Sequence, residues 1–105
     1  MIAQFWYDDA PCESHIAIRL DWQEGEPIAC VEAPPHVTDR LSELSIPHRE
    51  GSMRLPFALG YGVTIAALTE AKLTVTGDVT AWPVSWGDLT FRNAGSRFKQ
   101  LSQAH

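Results

Sequence analysis

The sequence lacks an apolar run long enough to cross a membrane. Its longest apolar stretch, from Leu55 to Leu68, is shorter than the roughly 20 residues that a transmembrane helix needs. The first residues also contain neither the basic segment nor the apolar core of a secretory signal. These absences predict a cytoplasmic protein without a membrane partner.

Cysteine is scarce, and motifs of known catalytic sites are absent. Cys12 and Cys30 are the two cysteines, and in the cytoplasm both are expected to stay reduced. No nucleophile elbow, phosphate-binding glycine loop or zinc-protease motif occurs. Gly60-Tyr61-Gly62 begins like a dinucleotide fingerprint, but it lies in a helical pattern instead of after a strand. The sequence therefore favours a non-enzymatic protein without a cofactor.

Four residues of the types that bind zinc occur in the first third of the chain. Cys12 and His15 are three positions apart, and Cys30 and His36 are six apart. This spacing is not that of a zinc finger, and His15 is expected on the solvent face of a strand. No metal site is predicted, with zinc binding as the alternative.

Basic residues are few in the first half of the chain. Residues 1–50 contain ten acidic side chains and three arginines, whereas residues 51–105 contain three acidic and five basic side chains. The net charge of -5 would repel a phosphate backbone, so no nucleic-acid partner is expected. A length of 105 residues fits a single domain over 1–105.

Alternating apolar and polar residues predict several strands. The predicted strands are 1–7, 15–22, 27–31, 72–76 and 89–91. In the second strand, Ile16, Ile18, Leu20 and Trp22 share the side expected to face the core. Because its connection to the first strand is short, the two are predicted to pair as an antiparallel hairpin.

Two main helices are predicted between these strands. The first opens at Pro34-Pro35 and ends before Pro47, since proline is tolerated in a first turn and disfavours helix just before itself. The second covers 57–71 and is apolar on all sides, which predicts burial on all sides. Its Gly60 and Gly62 lower helix stability, so each is expected to contact a sheet or helix closely. A single turn at 83–86 and a weak final helix with Phe98 and Leu101 follow.

The order of elements predicts an α+β fold. We expect a small, mostly antiparallel sheet of four to five strands with two main helices packed on one face. A smaller α/β alternative would have a parallel strand after the second helix. The sequence does not fix which strand 73–76 joins.

Two tryptophans and two aspartates lie close together near the end of the chain. Trp82 and Trp86 are four positions apart, beside Asp78 and Asp88. One of the two tryptophans is expected to fill the end of the core. Because tryptophan is also favoured at binding hot spots, all four residues are predicted to form a surface for a partner or ligand.

Acidic side chains form a second candidate surface. Asp8, Asp9 and Glu13 lie before the second predicted strand, and Glu24 and Glu26 lie after it. Such a cluster would suit a basic partner, and Asp8 and Asp9 are included in the predicted site. Simple solvation of the acidic side chains is the alternative.

These patterns predict a small cytoplasmic interaction protein. It would be an accessory, regulatory or inhibitory subunit that docks on another protein through an acidic hairpin and a Trp-rich turn. The alternative is a small-ligand-binding domain or small enzyme with a pocket between the second helix and the Trp82/Trp86 turn. An exposed sheet edge would also allow a homodimer.

Overall fold

The computed structural model describes residues 5–91, which form a sheet covered on one face by two α-helices. In chain order the elements are β1 (Trp6–Tyr7), β2 (Ile16–Gln23), β3 (Glu26–Glu32), α1 (Pro35–Glu43), β4 (Ser52–Arg54), α2 (Leu55–Thr69), β5 (Leu73–Gly77) and β6 (Thr90–Phe91). Two 3-10 turns, Val79–Ala81 and Val84–Trp86, separate β5 from β6. The α+β class is confirmed. The sheet differs from the prediction, because it has six strands and is mixed instead of mostly antiparallel.

The strand order is β4-β3-β2-β5-β1-β6. β2 and β3 form an antiparallel hairpin through a turn at Glu24 and Gly25, which both have positive φ angles. β4 extends the hairpin on the antiparallel side. On the other side β5 is parallel to β2, β1 is parallel to β5, and β6 is parallel to β1. The parallel strand of the α/β alternative is therefore present within an α+β sheet.

The predicted hairpin of β1 with β2 is wrong. β5 lies between these two strands, with Val75 opposite Tyr7 on one side and Ile18 on the other. β1 has only two residues, so few cross-strand contacts would stabilise its pairing with β2, although the connection between them is short. The longer strand β5, which comes later in the chain, offers more such contacts. Residues 8–15 therefore connect two parallel strands that are not neighbours.

The core lies between the sheet and the two helices. Ile16, Ile18 and Leu20 of β2 are at most 2% exposed, as their alternation predicts. The other strand and helix residues of the core are Ala29, Val31, Val37, Leu41, Leu55, Ala58, Ile65 and Val75. Burying each large aliphatic side chain contributes roughly 1.5–3 kcal/mol, which makes this cluster the main source of stability.

The sheet face opposite the helices was predicted to be solvated, and part of it is buried. Ala17, Thr74 and Thr76 are each at most 5% exposed. Segment 8–15 passes near this face, since its residues line a cavity together with Ala17 and Arg19. The hydroxyl of Thr76 is buried and has no hydrogen-bond partner among residues 5–91. This face of the sheet is therefore only partly exposed to solvent.

α1 follows the prediction closely. Pro35 occupies its first turn, and Val37 and Leu41 are buried against the core. Leu44, three positions after Leu41, caps the helix and remains exposed. Ser45 then takes a positive φ angle, so the helix ends before Pro47 as expected.

The prediction that α2 is buried on all sides is wrong. Its inner side faces the core through Leu55, Ala58, Gly62 and Ile65. Its opposite side, here called the outer stripe, consists of the exposed residues Pro56, Phe57, Gly60, Val63, Thr64, Ala67 and Leu68. The sheet covers one side of the helix, and within residues 5–91 no layer covers the other.

The two glycines of α2 have different surroundings. A Cβ atom on Gly62 would lie 2.9 Å from Cδ1 of Ile18, so this glycine allows α2 to pack closely on β2. A Cβ atom on Gly60 would meet no other atom of the described residues within 4 Å. Close packing, expected for both glycines, is thus confirmed for Gly62 and contradicted for Gly60.

Two predictions fall at the ends of the chain. The final helix with Phe98 and Leu101 lies outside the described residues, as does most of the first predicted strand. The last strand is observed as β6, and the predicted turn at 83–86 is the second 3-10 turn, followed by Gly87. Of the helices within 5–91, none has the length and apolar content that a membrane crossing requires.

Candidate interaction surface

Two parallel strands end at one edge of the sheet and bring separate parts of the chain together. β5 ends at Gly77, which lies opposite Leu20 of β2. β2 continues for three more residues and then turns into β3, while the chain after β5 enters the 3-10 turns. Residues 21–26 and 78–81 therefore lie at the same end of the sheet.

Hydrogen bonds tie these two segments together. The indole N–H of Trp22 donates to Oγ1 of Thr80 at 2.8 Å. The same hydroxyl donates to Oδ1 of Asp78 at 2.6 Å, and that oxygen also accepts the backbone N–H of Thr80. Asp78 thus caps the 3-10 turn, a role that its position after a glycine predicts.

Gly77 is required at this junction. Its φ angle is +89°, and a Cβ atom on it would collide with the backbone of Leu20. Only glycine adopts this conformation at low cost, so the residue lets the chain turn tightly against β2. The position of Asp78 beside Trp22 depends on that turn.

Trp82 fills the end of the core and is only 8% exposed. Its indole N–H donates to the carbonyl of Gly87 at 2.9 Å. Its ring packs edge-on against Phe5 and Trp86, with centroid distances of 5.5 and 5.1 Å. This position in the core was predicted for one of the two tryptophans. Because Trp82 is buried, it offers little surface to a partner, whereas Trp86 is half-buried.

The prediction that Trp22 is a core residue is wrong, since it is 42% exposed. Alternation places it on the core side of β2, but the neighbouring strand β5 ends two residues earlier, opposite Leu20. The ring therefore extends past the covered part of the sheet. Val79 and Val84 are also exposed, and Val84 reaches 95%.

Five exposed carboxylates lie in the segments 21–26 and 78–88, which also contain these apolar side chains. They are the exposed residues Asp21, Glu24, Glu26, Asp78 and Asp88. The salt bridges found within residues 5–91 are Arg19 to Glu32 and Arg40 to Glu43, so none of the five is neutralised by one. Arg54 lines a cavity with Glu24 and Glu26 but stays beyond salt-bridge distance. We call these carboxylates together with Trp22, Val79, Val84 and Trp86 the acidic aromatic end.

The acidic residues that the sequence grouped together occupy two places. Glu13 precedes β2 and Glu24 follows it, and a strand of 8 residues spans about 25 Å. Asp8 is buried, and its Oδ1 accepts the N–H of Ala10 at 3.0 Å, which gives it a structural role in a turn. Asp9 is exposed beside the cavity on the sheet face opposite the helices. The single acidic hairpin surface is therefore replaced by two separate acidic groups.

That cavity has a volume of about 450 Å³ and contains several polar side chains. Arg19 donates to both carboxylate oxygens of Glu32, at 2.9 and 3.1 Å. The hydrogen bond with Glu32 raises the pKa of Arg19, which keeps the guanidinium charged. Nδ1 of His15 lies 3.0 Å from Oγ1 of Thr74. Sequence reasoning missed Arg19 and Glu32, although the register of the β2–β3 hairpin places them as diagonal neighbours.

The four zinc-type residues do not form a metal centre. Cys12 and His15 line the cavity, whereas Cys30 lies on β3 and His36 is exposed on α1. In the part of the chain from 5 to 91, no three His, Cys, Asp or Glu side chains are grouped so that they could hold a metal ion. Neither cysteine forms a disulfide, and burial raises the pKa of the Cys30 thiol.

No family model, curated protein or solved structure matches this chain. The geometry and charge of its surface are therefore the basis for assigning a function.

Proposed function

We propose that the protein is a small non-enzymatic interaction protein that docks on another protein through its acidic aromatic end. It acts as an accessory, regulatory or inhibitory subunit. The observation that carries this proposal is the exposure of Trp22, Val79 and Val84 in segments whose carboxylates make no salt bridge within residues 5–91. Apolar side chains at the centre of an interface and charges at its rim are the usual arrangement of a docking surface.

The charge of this surface defines the chemistry of the partner. Segments 21–26 and 77–88 contain five carboxylates and no basic residue. A complementary partner has an apolar groove bordered by lysine or arginine side chains. Rim charges mainly raise the association rate, so added salt should slow complex formation more than it speeds dissociation.

The site is held rigidly, which favours recognition. Gly77 fixes the turn, Asp78 caps it, and the hydrogen bond from Trp22 to Thr80 joins it to β2. A surface that is ordered before binding loses less conformational entropy on association. Because these contacts hold the site in place, the proposed site does not require Trp82 itself to be exposed.

Site-specific photo-crosslinking tests the proposal. A photoreactive residue at position 84 should capture a partner in cells, and one at position 44, an exposed leucine on neither proposed surface, should not capture the same protein. The partner is then purified and its affinity measured by titration calorimetry. We expect Val84→Asp to weaken binding at least about tenfold, as hot-spot substitutions do. The combined change Glu24→Lys with Glu26→Lys should slow association.

Leu44→Asp is the matched control, because it introduces the same charge at an exposed aliphatic residue that lies on neither the acidic aromatic end nor α2. It should leave the affinity for that partner unchanged. Equal affinities of the wild type, Val84→Asp and the double lysine variant would refute docking through the acidic aromatic end. Circular dichroism and thermal unfolding of each variant separate lost binding from lost folding.

A small ligand in the cavity beside β2 is the second candidate function. Its volume of about 450 Å³ is typical of small-molecule sites, and His15, Arg19 and Glu32 supply polar groups there. The pocket predicted between the second helix and the Trp82/Trp86 turn stays a prediction. A metabolite that raises the melting temperature of the wild type but not of Arg19→Ala would favour the cavity. No response to a broad panel would argue against it.

A further inference from the structure

We infer that the outer stripe of α2 is the interface of a homodimer, in which the α2 helices of two copies pack antiparallel. This surface is distinct from the acidic aromatic end, and the inference goes beyond the proposed function. Phe57, Val63 and Leu68 are 51, 42 and 46% exposed on it. An apolar helix side of this length on the surface of a small domain indicates an interaction site.

The stripe is unusually free of polar groups. No charged residue occurs from Leu55 to Thr69. The hydroxyl of Thr64 donates to the carbonyl of Gly60 within the helix at 2.8 Å, which leaves no unsatisfied donor there. A solvated helix side normally carries charged side chains, so this side has the composition of an interface centre.

Charge at the two ends of the stripe identifies a second copy as the occupant. At the N-terminal end the guanidinium of Arg49 lies 5.0 Å from the centroid of the Phe57 ring. The backbone N–H of Arg49 donates to the Tyr61 hydroxyl at 2.8 Å, which holds the arginine beside α2. At the C-terminal end Glu70 is exposed directly after the helix. Neither Arg49 nor Glu70 makes a salt bridge within residues 5–91.

An antiparallel pair makes these ends complementary. Arg49 of each copy then faces Glu70 of the other, and the helix dipoles are also opposed favourably. The next charged residue after the helix, Lys72, lies two positions before Thr74 of β5. By strand alternation it shares the sheet face opposite the helices, so it does not oppose Arg49.

Gly60 supports close approach of the second helix. It lies near the middle of the stripe, and a Cβ atom at this position would contact nothing in the part of the chain from 5 to 91. A helix is less stable with glycine than with alanine in its interior, and no contact within residues 5–91 explains why position 60 is a glycine. Helices whose contact residues are small pack at the short end of the usual interaxial range, about 8 Å.

The size of the interface sets the expected strength. A helix of 15 residues is about 22 Å long and about 10 Å wide. Such a pair buries less than the roughly 800 Å² per partner of a standard interface. We therefore expect a reversible dimer of modest affinity.

Analytical ultracentrifugation of the full chain tests the inference. The mass should rise from 11.7 kDa at low concentration towards twice that value as concentration increases. Leu68→Glu should weaken self-association at least about tenfold, because it would bury an unpaired charge. Gly60→Ala should weaken it too, although it stabilises the monomer. Val84→Asp should have no effect, which distinguishes this interface from the acidic aromatic end.

A charge exchange identifies the antiparallel arrangement. Arg49→Glu and Glu70→Arg should each self-associate more weakly than the wild type, by about tenfold for two pairs made repulsive. Mixed in equal amounts, the two variants should recover association, because every facing pair is again of opposite charge. Arg40→Glu on α1 is the control. It should neither weaken self-association by itself nor restore it when mixed with either charge variant.

Three outcomes would overturn the inference. One is a mass of 11.7 kDa at all concentrations, which would leave the stripe to a different partner. Another is self-association that Leu68→Glu does not change, which would indicate another interface such as a sheet edge. The third is a mixture of the two charge variants that associates no better than either alone.

Discussion

The two sides of α2 have nearly the same composition and opposite surroundings. The inner side packs Leu55, Ala58 and Ile65 against the core, and the outer stripe exposes Phe57, Val63 and Leu68. Each side also contains one glycine of the Gly60-Tyr61-Gly62 sequence, and only Gly62 is in close contact with the sheet. The apolar content of a helix therefore shows that it has partners, but not that all of them lie in its own chain.

Leucine substitutions on the two sides provide the largest test of this contrast. Leu55→Ala should lower the free energy of unfolding by about 3 kcal/mol, because it leaves a cavity in the core. Leu68→Ala should change it by no more than about 0.5 kcal/mol in the monomer. Urea unfolding at low protein concentration measures both. Similar losses for the two variants would show that the outer stripe is covered within the chain itself.

The same contrast applies to Trp82 and Trp22. Trp82→Phe should cost about 2 kcal/mol, since it removes part of a buried ring and the donor to the Gly87 carbonyl. Trp22→Phe should cost about 0.5 kcal/mol, because its hydrogen bond to Thr80 is at the surface. Acrylamide quenching distinguishes them further, as Trp22→Phe should remove the more accessible emission. Loss of that emission in Trp82→Phe instead would reverse the assignment.

The two glycines form a closely matched pair. Gly60→Ala should raise monomer stability by about 1 kcal/mol, because alanine favours helix and the site is open. Gly62→Ala should lower it by about 1 kcal/mol, since the new methyl group would crowd Ile18. Thermal unfolding at low concentration is sufficient. A gain in both variants would mean that α2 and β2 separate at little cost.

The smallest effect concerns the two thiols. Cys12 is exposed, whereas Cys30 is half-buried and burial raises its pKa. At neutral pH a smaller fraction of Cys30 is thiolate, so iodoacetamide should label Cys12 first. Labelling of Cys30 should continue to increase at a pH above the range of an ordinary thiol. Peptide mass spectrometry over a pH series measures the order of labelling, and labelling of Cys30 before Cys12 would contradict the prediction.

Local signals predicted the separate elements well. Proline and the apolar spacing of Val37 and Leu41 locate α1, and period-two alternation locates β2 and β5. Such signals depend on a few neighbouring residues, so a single sequence is sufficient to detect them. β4 was missed because Ser52–Arg54 is a polar segment whose strand character comes from pairing with β3.

Pairing and coverage could not be predicted in the same way. The neighbours of β1 come from distant parts of the chain, and no short pattern encodes that choice. The exposure of Trp22 depends on where β5 ends, and that of Leu68 on the absence of a second layer within residues 5–91. Within the site, the cap role of Asp78 is a local feature, because this residue directly follows Gly77. The burial of Asp8, by contrast, depends on the full topology.

The place of β1 between β5 and β6 also affects how the protein is made. Because synthesis proceeds from the N-terminus, Trp6 and Tyr7 leave the ribosome long before their partners Val75, Thr90 and Phe91 exist. The hairpin of β2 with β3 is local and is able to form early, whereas β1 must wait for nearly the whole chain. The aromatic residues around β1 are thus exposed on the nascent chain, where a chaperone would be expected to bind them.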